Sequence, residues 1–359
     1  MAEIIPVTAV AKKQKREEVK LVEKFQQSGY RIIGRHSAVK VCHWTKSALR
    51  GDKMCYKHWY GIDSHRCIQM TPSVQYCNLM CVFCWRFHTP NRVEPYDGSW
   101  DDPAEILDKM IEAQRQLLSG FKGNPRVSRE RYEEAINPKH IAISLDGEPT
   151  LYPKLAEFIQ EAASRGMTTF LVTNGTMPER LEELKRKGAE PTSLYISLYG
   201  PDKESHIRTN KPLIPDSWER ILKSLEVMRS FTSRKVIRLT LVKGYNMHSP
   251  EKYAELIKIA KPDFVECKGY MHVGESQKRL PKEAMPSTDE IVEFAKQLAG
   301  ILGYVYVTED NASRVALLAD PSSRYYLEQL EKMRMEASLS TAEEPAVELT
   351  GGEGCGEIM

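Results

Sequence analysis

Three cysteines fall within eight residues of the stretch QYCNLMCVFCW, at Cys77, Cys81 and Cys84. Thiols clustered in this way suit a soft metal centre. A structural zinc site wants four donors, and the C-x3-C step departs from the short knuckle spacing such sites use. A cubane [4Fe–4S] cluster has four irons, each normally held by one thiolate. Three protein thiolates would therefore leave one iron open to a small molecule, much as catalytic zinc keeps an open position. Upstream, Cys42, Cys55 and Cys67 form a second triplet with the spacing C-x12-C-x11-C. Each of these alone could be a small buried residue. Their number and their setting favour ligation, because residues 31–66 show little hydrophobic periodicity and a metal would organise them. Cys267, inside an apolar strand, reads as a core residue, and Cys355 reads as an unpaired, inert thiol.

The elements that must position these groups follow the cysteines in order. Residues 8–28 read as a polar helix ending near Gly29. After Cys84 the pattern turns regular. The run WDDPAEILDKMIEAQRQLLSG opens with Asp102 as N-cap, Pro103 at the first helical position and Glu105 three residues after the cap. Ile106, Met110, Ala113 and Leu117 then share one face. Strands are expected at 140–147, 168–175, 193–200, 235–244, 264–271 and 303–309, with helical stretches between them. That alternation implies an α/β fold with a parallel sheet, closed or partly closed as a barrel. A doubly wound sheet is the competing architecture, but no glycine-rich dinucleotide turn follows the strand before Cys77. A barrel gathers reactive groups at the C-terminal ends of its strands, where Asp146, Glu148, Asn174, Ser197 and Lys243 fall. The tail from Glu331 is acidic and reads as disordered.

Composition narrows the setting. The 359 residues are 41% hydrophobic and 28% charged, as expected of a globular enzyme. No stretch approaches the roughly 18 apolar residues of a membrane span. The N-terminus becomes charged too early for a signal peptide, so a cytoplasmic location is expected, where clustered thiols are more often ligands than disulfides. Residues 1–66 hold 14 Lys/Arg against 6 Asp/Glu, whereas the remainder is net acidic. That basic end also carries Trp44, Tyr56, Trp59 and Tyr60, a composition able to contact RNA phosphates and stack on bases. An ordinary solvated basic helix would carry the same charge.

The CxxxCxΦC spacing at Cys77, Cys81 and Cys84, together with the α/β alternation, resembles the radical S-adenosylmethionine (SAM) superfamily. The resemblance implies a partial (β/α)6-type TIM barrel with an N-terminal cluster-binding extension, divided as 1–66, 67–320 and 321–359. The family's GGEP-type motif, which holds the SAM amino group, appears as DGEP with Asp146 in place of the first glycine. Gly147 and Glu148 inherit its role, and Asn174 and Ser197 match positions that contact SAM. The motifs CNLMCVFCW, SLDGEPTLYP, LVTNGT and SLYGPD, with the upstream triplet and CYKHWYG around its middle cysteine, further resemble the tRNA 4-demethylwyosine synthases along essentially the whole chain.

That resemblance implies two [4Fe–4S] clusters, on Cys77/Cys81/Cys84 and on Cys42/Cys55/Cys67, with SAM at the first. The substrates it implies are N1-methylguanosine beside the anticodon of tRNA-Phe, and pyruvate, whose carboxyl carbon is lost as two carbons close a third ring. The family lysine two residues after the second auxiliary cysteine, proposed to form a Schiff base with pyruvate, corresponds to Lys57; chelation of pyruvate by the second cluster is the rival version. Eukaryotic members carry a flavodoxin-like domain that has no counterpart here. The resemblance therefore implies the short archaeal type, served by an external flavodoxin- or ferredoxin-type electron donor, and a monomeric or weakly associating enzyme is expected. Two other readings stay open at this point: a radical SAM enzyme acting on a peptide or small molecule, and a zinc-organised RNA-binding module without catalysis.

Overall fold

The computed structural model describes residues 22–88 and 98–331. One sheet dominates it, built from β1 (Arg31–Ile33), β2 (Ser37–Lys40), β3 (Cys67–Thr71), β4 (His140–Ile143), β5 (Thr168–Thr173), β6 (Ser193–Leu198), β7 (Arg234–Leu241), β8 (Phe264–Gly269), β9 (Val305–Asp310) and β10 (Val315–Ala319). The order across the sheet is β1-β2-β3-β4-β5-β6-β7-β8-β10-β9. From β3 to β8 every neighbour is parallel. These are the six strands of a partial (β/α) barrel. The β1–β2 hairpin extends one edge antiparallel to β3, and β10 and β9 extend the other antiparallel to β8. The two edges do not pair with each other, so the barrel is open.

Alternation along the strands sorts side chains between two apolar layers. Ile68, Ile141, Leu171, Leu194, Ile196, Ile237 and Leu239 face the helices, where Ile106, Met110, Leu155, Ile159, Leu181, Ile221, Leu225 and Ile257 meet them. Phe170, Tyr195, Val236 and Phe264 face the other way and form an inner cluster with Tyr60 and Ile62. Burial on both faces explains why these strands read as continuous apolar runs. Helix Pro103–Leu118 begins as its sequence dictates, with the Asp102 carboxylate accepting the Ala104 and Glu105 backbone N–H groups at 2.9 and 3.4 Å.

Two features of the sheet differ from the sequence reading. β1 and β2 lie in the segment read as irregular, because strands of three and four residues are too short to display a period of two. The apolar run of β10 was not among the expected strands. The described part of the N-terminal helix spans 22–27; residues 8–21, the tail beyond Glu331 and Cys355 lie outside the described residues. Among the described residues no helix is long and apolar enough to cross a membrane.

Candidate active site

The loop carrying Cys77, Cys81 and Cys84 leaves the end of β3 and is fastened on two sides. On one side it meets the DGEP turn after β4. Thr71 Oγ1 donates to the Asp146 carbonyl at 2.5 Å, Ser73 Oγ to the Glu148 carbonyl at 2.8 Å, and the Glu148 N–H to the Tyr76 carbonyl at 2.7 Å. Gly147 has φ of 66°, and a Cβ there would lie 2.0 Å from the Ser73 carbonyl oxygen and 2.5 Å from that of Tyr76. Only glycine permits this approach. On the other side, Met80 N–H donates to the Asn210 carbonyl and Val82 N–H to that of Thr209, at 2.8 and 2.9 Å. Arg279 Nε donates to the Val82 carbonyl at 3.2 Å.

Glu148 is a buried carboxylate held by four donors. Oε1 accepts from the Thr150 N–H, Thr150 Oγ1 and Thr173 Oγ1 at 3.1, 2.6 and 2.6 Å, and Oε2 accepts the Asn174 N–H at 2.7 Å. Burial raises its pKa and these donors oppose the rise. The carboxylate thus ties the end of β4 to the end of β5, with Oε2 keeping accepting capacity. Asn174 donates from Nδ2 to Asn78 at 3.0 Å and lies 3.8 Å from Cys77 Sγ. A cavity of about 180 Å³ is lined by Cys77, Cys81, Cys84, Gly147, Asn174 and Ser197.

A larger cavity of about 370 Å³ adjoins it, and Cys84, Ser144 and Ser197 line both. Cys42, Cys55, Cys67 and Lys57 also line the larger one. Cys42 and Cys55 each precede a helical turn, and Cys67 opens β3. Burial pushes the Cys55 thiol up to about 11 and the Cys67 thiol up to about 12. The Lys57 amine rests 4.8 Å from the Tyr195 ring centre and 5.2 Å from that of Phe170. Burial lowers the Lys57 pKa and the neighbouring Arg238 cation lowers it further, while Glu266 pulls it back. Trp44 and the part-exposed Trp85 complete the wall.

The donor sets, thiols alone, are of the chemistry that iron–sulfur clusters take. Among the described residues no three His, Cys, Asp or Glu side chains converge as one ion requires. Cubane ligands bind separate irons and stand further apart. Cys77, Cys81 and Cys84 line the smaller cavity, and Cys42, Cys55 and Cys67 the larger. Lys243, also at a strand end, lines neither cavity and pairs with Glu290 at 2.7 Å. Cys267 is fully buried in the core, as read.

Sequence reasoning missed Arg238, Glu266 and Lys268. The signal was present: each interrupts an apolar strand on the face of an inner-cluster residue, Arg238 two residues from Val236, Glu266 two from Phe264 and Lys268 four from Phe264. Glu266 is fully buried and receives Arg238 Nε and Nη2 at 2.8 and 2.7 Å, with Tyr56 and Tyr60 hydroxyls each at 3.1 Å. Burial lowers the Lys268 pKa to about 8, and its amine donates to the Ser313 carbonyl at 2.6 Å.

Comparison with known proteins gives consistent relatives. Residues 71–257 match the model of the radical SAM superfamily, and residues 259–320 match that of wyosine base formation. The S-adenosyl-L-methionine-dependent tRNA 4-demethylwyosine synthase of Pyrococcus horikoshii is 52% identical over 305 residues, spanning 83% of this chain and 88% of the relative. The rice protein of the same description is 43% identical over 78% of this chain, which spans 43% of its length. A solved structure described as TYW1 with a lysine-pyruvate adduct bound superimposes with a TM-score of 0.76 at 38% identity, covering 89% of this chain and 98% of that one.

Proposed function

This chain belongs to the tRNA 4-demethylwyosine synthase family of radical SAM enzymes, and from that membership we infer how its two cavities divide the reaction. It is a SAM-dependent enzyme that makes 4-demethylwyosine in tRNA. Our reading is that N1-methylguanosine of tRNA-Phe and pyruvate are its substrates.

A [4Fe–4S] cluster on Cys77, Cys81 and Cys84 would offer its open iron to the amino and carboxyl groups of SAM and supply the electron that releases a 5′-deoxyadenosyl radical. Cys42, Cys55 and Cys67 would hold a second cluster across the larger cavity. Gly147 and Glu148 keep the Cys77 loop in place, and Glu148 Oε2 retains a lone pair for the SAM amino group. Asn174 and Ser197, lining the SAM-side cavity, complete its polar wall.

Lys57 is the nucleophile toward pyruvate. Its lowered pKa keeps more of the amine neutral, so its lone pair can bond to the keto carbon. The carbonyl oxygen then leaves as water with the two amine protons, and a C=N bond replaces C=O. The lysine-pyruvate adduct of the structural neighbour supports this role. The target purine must leave the anticodon stack to reach the cavity. Trp44 and Trp85 offer it stacking faces, and the basic N-terminal segment would hold the loop backbone. A monomer in the cytoplasm, reduced by a separate flavodoxin or ferredoxin, fits this reading.

The observation that carries the proposal is the placing of both thiol triplets and the Lys57 amine around two adjoining cavities. Anaerobic turnover with methylated tRNA, SAM and dithionite, with and without pyruvate, tests it, together with borohydride trapping of labelled pyruvate. Tricyclic product that depends on pyruvate, and label on Lys57, are expected. Product without Lys57 label would favour chelation of pyruvate at the second cluster.

A further inference from the structure

Arg238 shares the Lys57 cavity, and its bonding is one-sided. Nε and Nη2 are taken by Glu266 Oε2, and Nη2 also donates to the Tyr56 hydroxyl at 2.8 Å. Nη1 has no hydrogen-bond partner among the described residues, although the side chain is only 15% exposed. Glu266 is itself locked by Tyr56 and Tyr60, so the guanidinium cannot swing away. Its Cζ sits 4.9 Å from the Tyr195 ring centre, and the Lys57 amine sits 4.8 Å from the same centre. Tyr195 does not line the cavity while both cations do, so the ring lies behind the pair.

The charge around them is unbalanced. Lys57, Arg86, Arg238 and Lys268 line the cavity, and among the described residues no Asp or Glu does. An arginine on the wall of such a space, with one edge clamped by a buried carboxylate and an N–H group left over, is arranged to receive a small anion. A polynucleotide phosphate is too bulky to reach a group this deep among inner-face strand residues.

We propose that Arg238 is the carboxylate-binding residue for the 2-oxo acid that reacts at Lys57, with Nη1 holding the acid's carboxylate while its keto carbon faces the Lys57 amine, and with Glu266 as the positioning residue that aims the guanidinium. The proposal rests on the Lys57 reading. It explains why a cation lies beside a nucleophilic amine: Arg238 orients the acid toward it across the same ring.

The test compares pyruvate with methyl pyruvate, an uncharged ketone of similar shape, in borohydride trapping on the anaerobically reconstituted holoenzyme. Removing Arg238 alone would strand the buried Glu266 charge, so the informative variants are Arg238→Lys and the double change Arg238→Gln with Glu266→Gln, which removes both charges together. In the double variant the half-saturating pyruvate concentration should rise about tenfold or more, the loss of one charge-assisted contact, while methyl pyruvate shifts less than about twofold. Arg238→Lys should fall between, because ammonium keeps the charge but not the fork. Unchanged pyruvate saturation, or a parallel rise for both ketones, overturns the proposal. If the wild-type enzyme acquires no label on Lys57, the Schiff-base reading fails separately. Calorimetric pyruvate affinity of the same holoenzymes then decides on Arg238: about tenfold weakening in the double variant supports it, and equal affinities overturn it.

Discussion

Replacing Gly147 by alanine tests whether the DGEP turn positions the Cys77 loop by close approach. The new Cβ would meet two backbone carbonyl oxygens, at 2.0 and 2.5 Å, neither of which can rotate away. The φ of 66° adds about 1–2 kcal/mol for a residue with a Cβ. Backbone displacement to relieve the overlap costs roughly 1–3 kcal/mol more. It also weakens the 2.7 Å bond from Glu148 to the Tyr76 carbonyl, on the order of 1 kcal/mol. The total is about 3–6 kcal/mol, which at roughly 2 °C per kcal/mol for a chain of this size lowers Tm by about 6–12 °C. Gly166→Ala is the internal control, since its φ of 69° carries the same conformational cost but nothing lies within 4 Å of the added Cβ. It should lose only about 1–2 kcal/mol. Differential scanning calorimetry and iron content on anaerobic protein measure both consequences. Gly147→Ala should also lose cluster iron, because Tyr76 directly precedes Cys77. Equal Tm losses in the two variants, with full iron in both, would refute the reasoning.

Three further outcomes follow from the same contacts. Glu148→Gln places an amide NH2 where Oε2 now accepts the Asn174 N–H, breaking one charge-assisted bond and costing about 1–3 kcal/mol in urea unfolding, with weaker SAM binding in equilibrium dialysis. Serine at Cys77, Cys81 and Cys84 together should halve the iron content and abolish release of 5′-deoxyadenosine. Serine at Cys42, Cys55 and Cys67 should also halve it while sparing that release, and retention of full iron in either triple variant would contradict the assignment. Burial holds the His206 pKa down at about 4, so between about pH 4 and 6.5 the unfolded chain binds the extra proton. Stability is therefore fully present above about pH 6.5 and falls as acid is added, by on the order of 2–3 kcal/mol at the lower limit, from this residue. Because His206 bonds Asn210, whose carbonyl holds Met80, cluster iron should be lost over the same window, and His206→Gln should flatten both dependences.

Much of this was legible in the residues. The triplet Cys77, Cys81 and Cys84 announces itself through local spacing, and β4 to β8 through largely apolar runs alternating with helical stretches, as a doubly covered parallel sheet produces. The upstream triplet is harder to read, because its twelve- and eleven-residue gaps encode no local geometry; its convergence depends on β3 lying beside β4 and on two short helical turns. Lys57 is placed by resemblance, whereas the Arg238–Glu266 pair depends on contact across neighbouring strands, where Arg238 and Glu266 stand in register between β7 and β8. No local pattern reports a partner 28 residues away.

The hairpin at one edge of the sheet explains how one chain brings two sulfur triplets together. β2 pairs antiparallel with β3 and so extends the sheet past its first parallel strand, carrying Cys42 just beyond Lys40 to the side where Cys67 begins β3. The following helical turn folds Tyr56 and Tyr60 inward onto Glu266 of β8, on the opposite side of the barrel interior. That contact ties the segment ahead of β3 to β8, two strands that do not pair directly. Cys55 immediately precedes that turn and Lys57 lies within it, so both reach the interior together. The tyrosine–glutamate bonds consequently do two things at once: they bridge an open barrel, and they aim the amine and its neighbouring guanidinium at the space between the thiols.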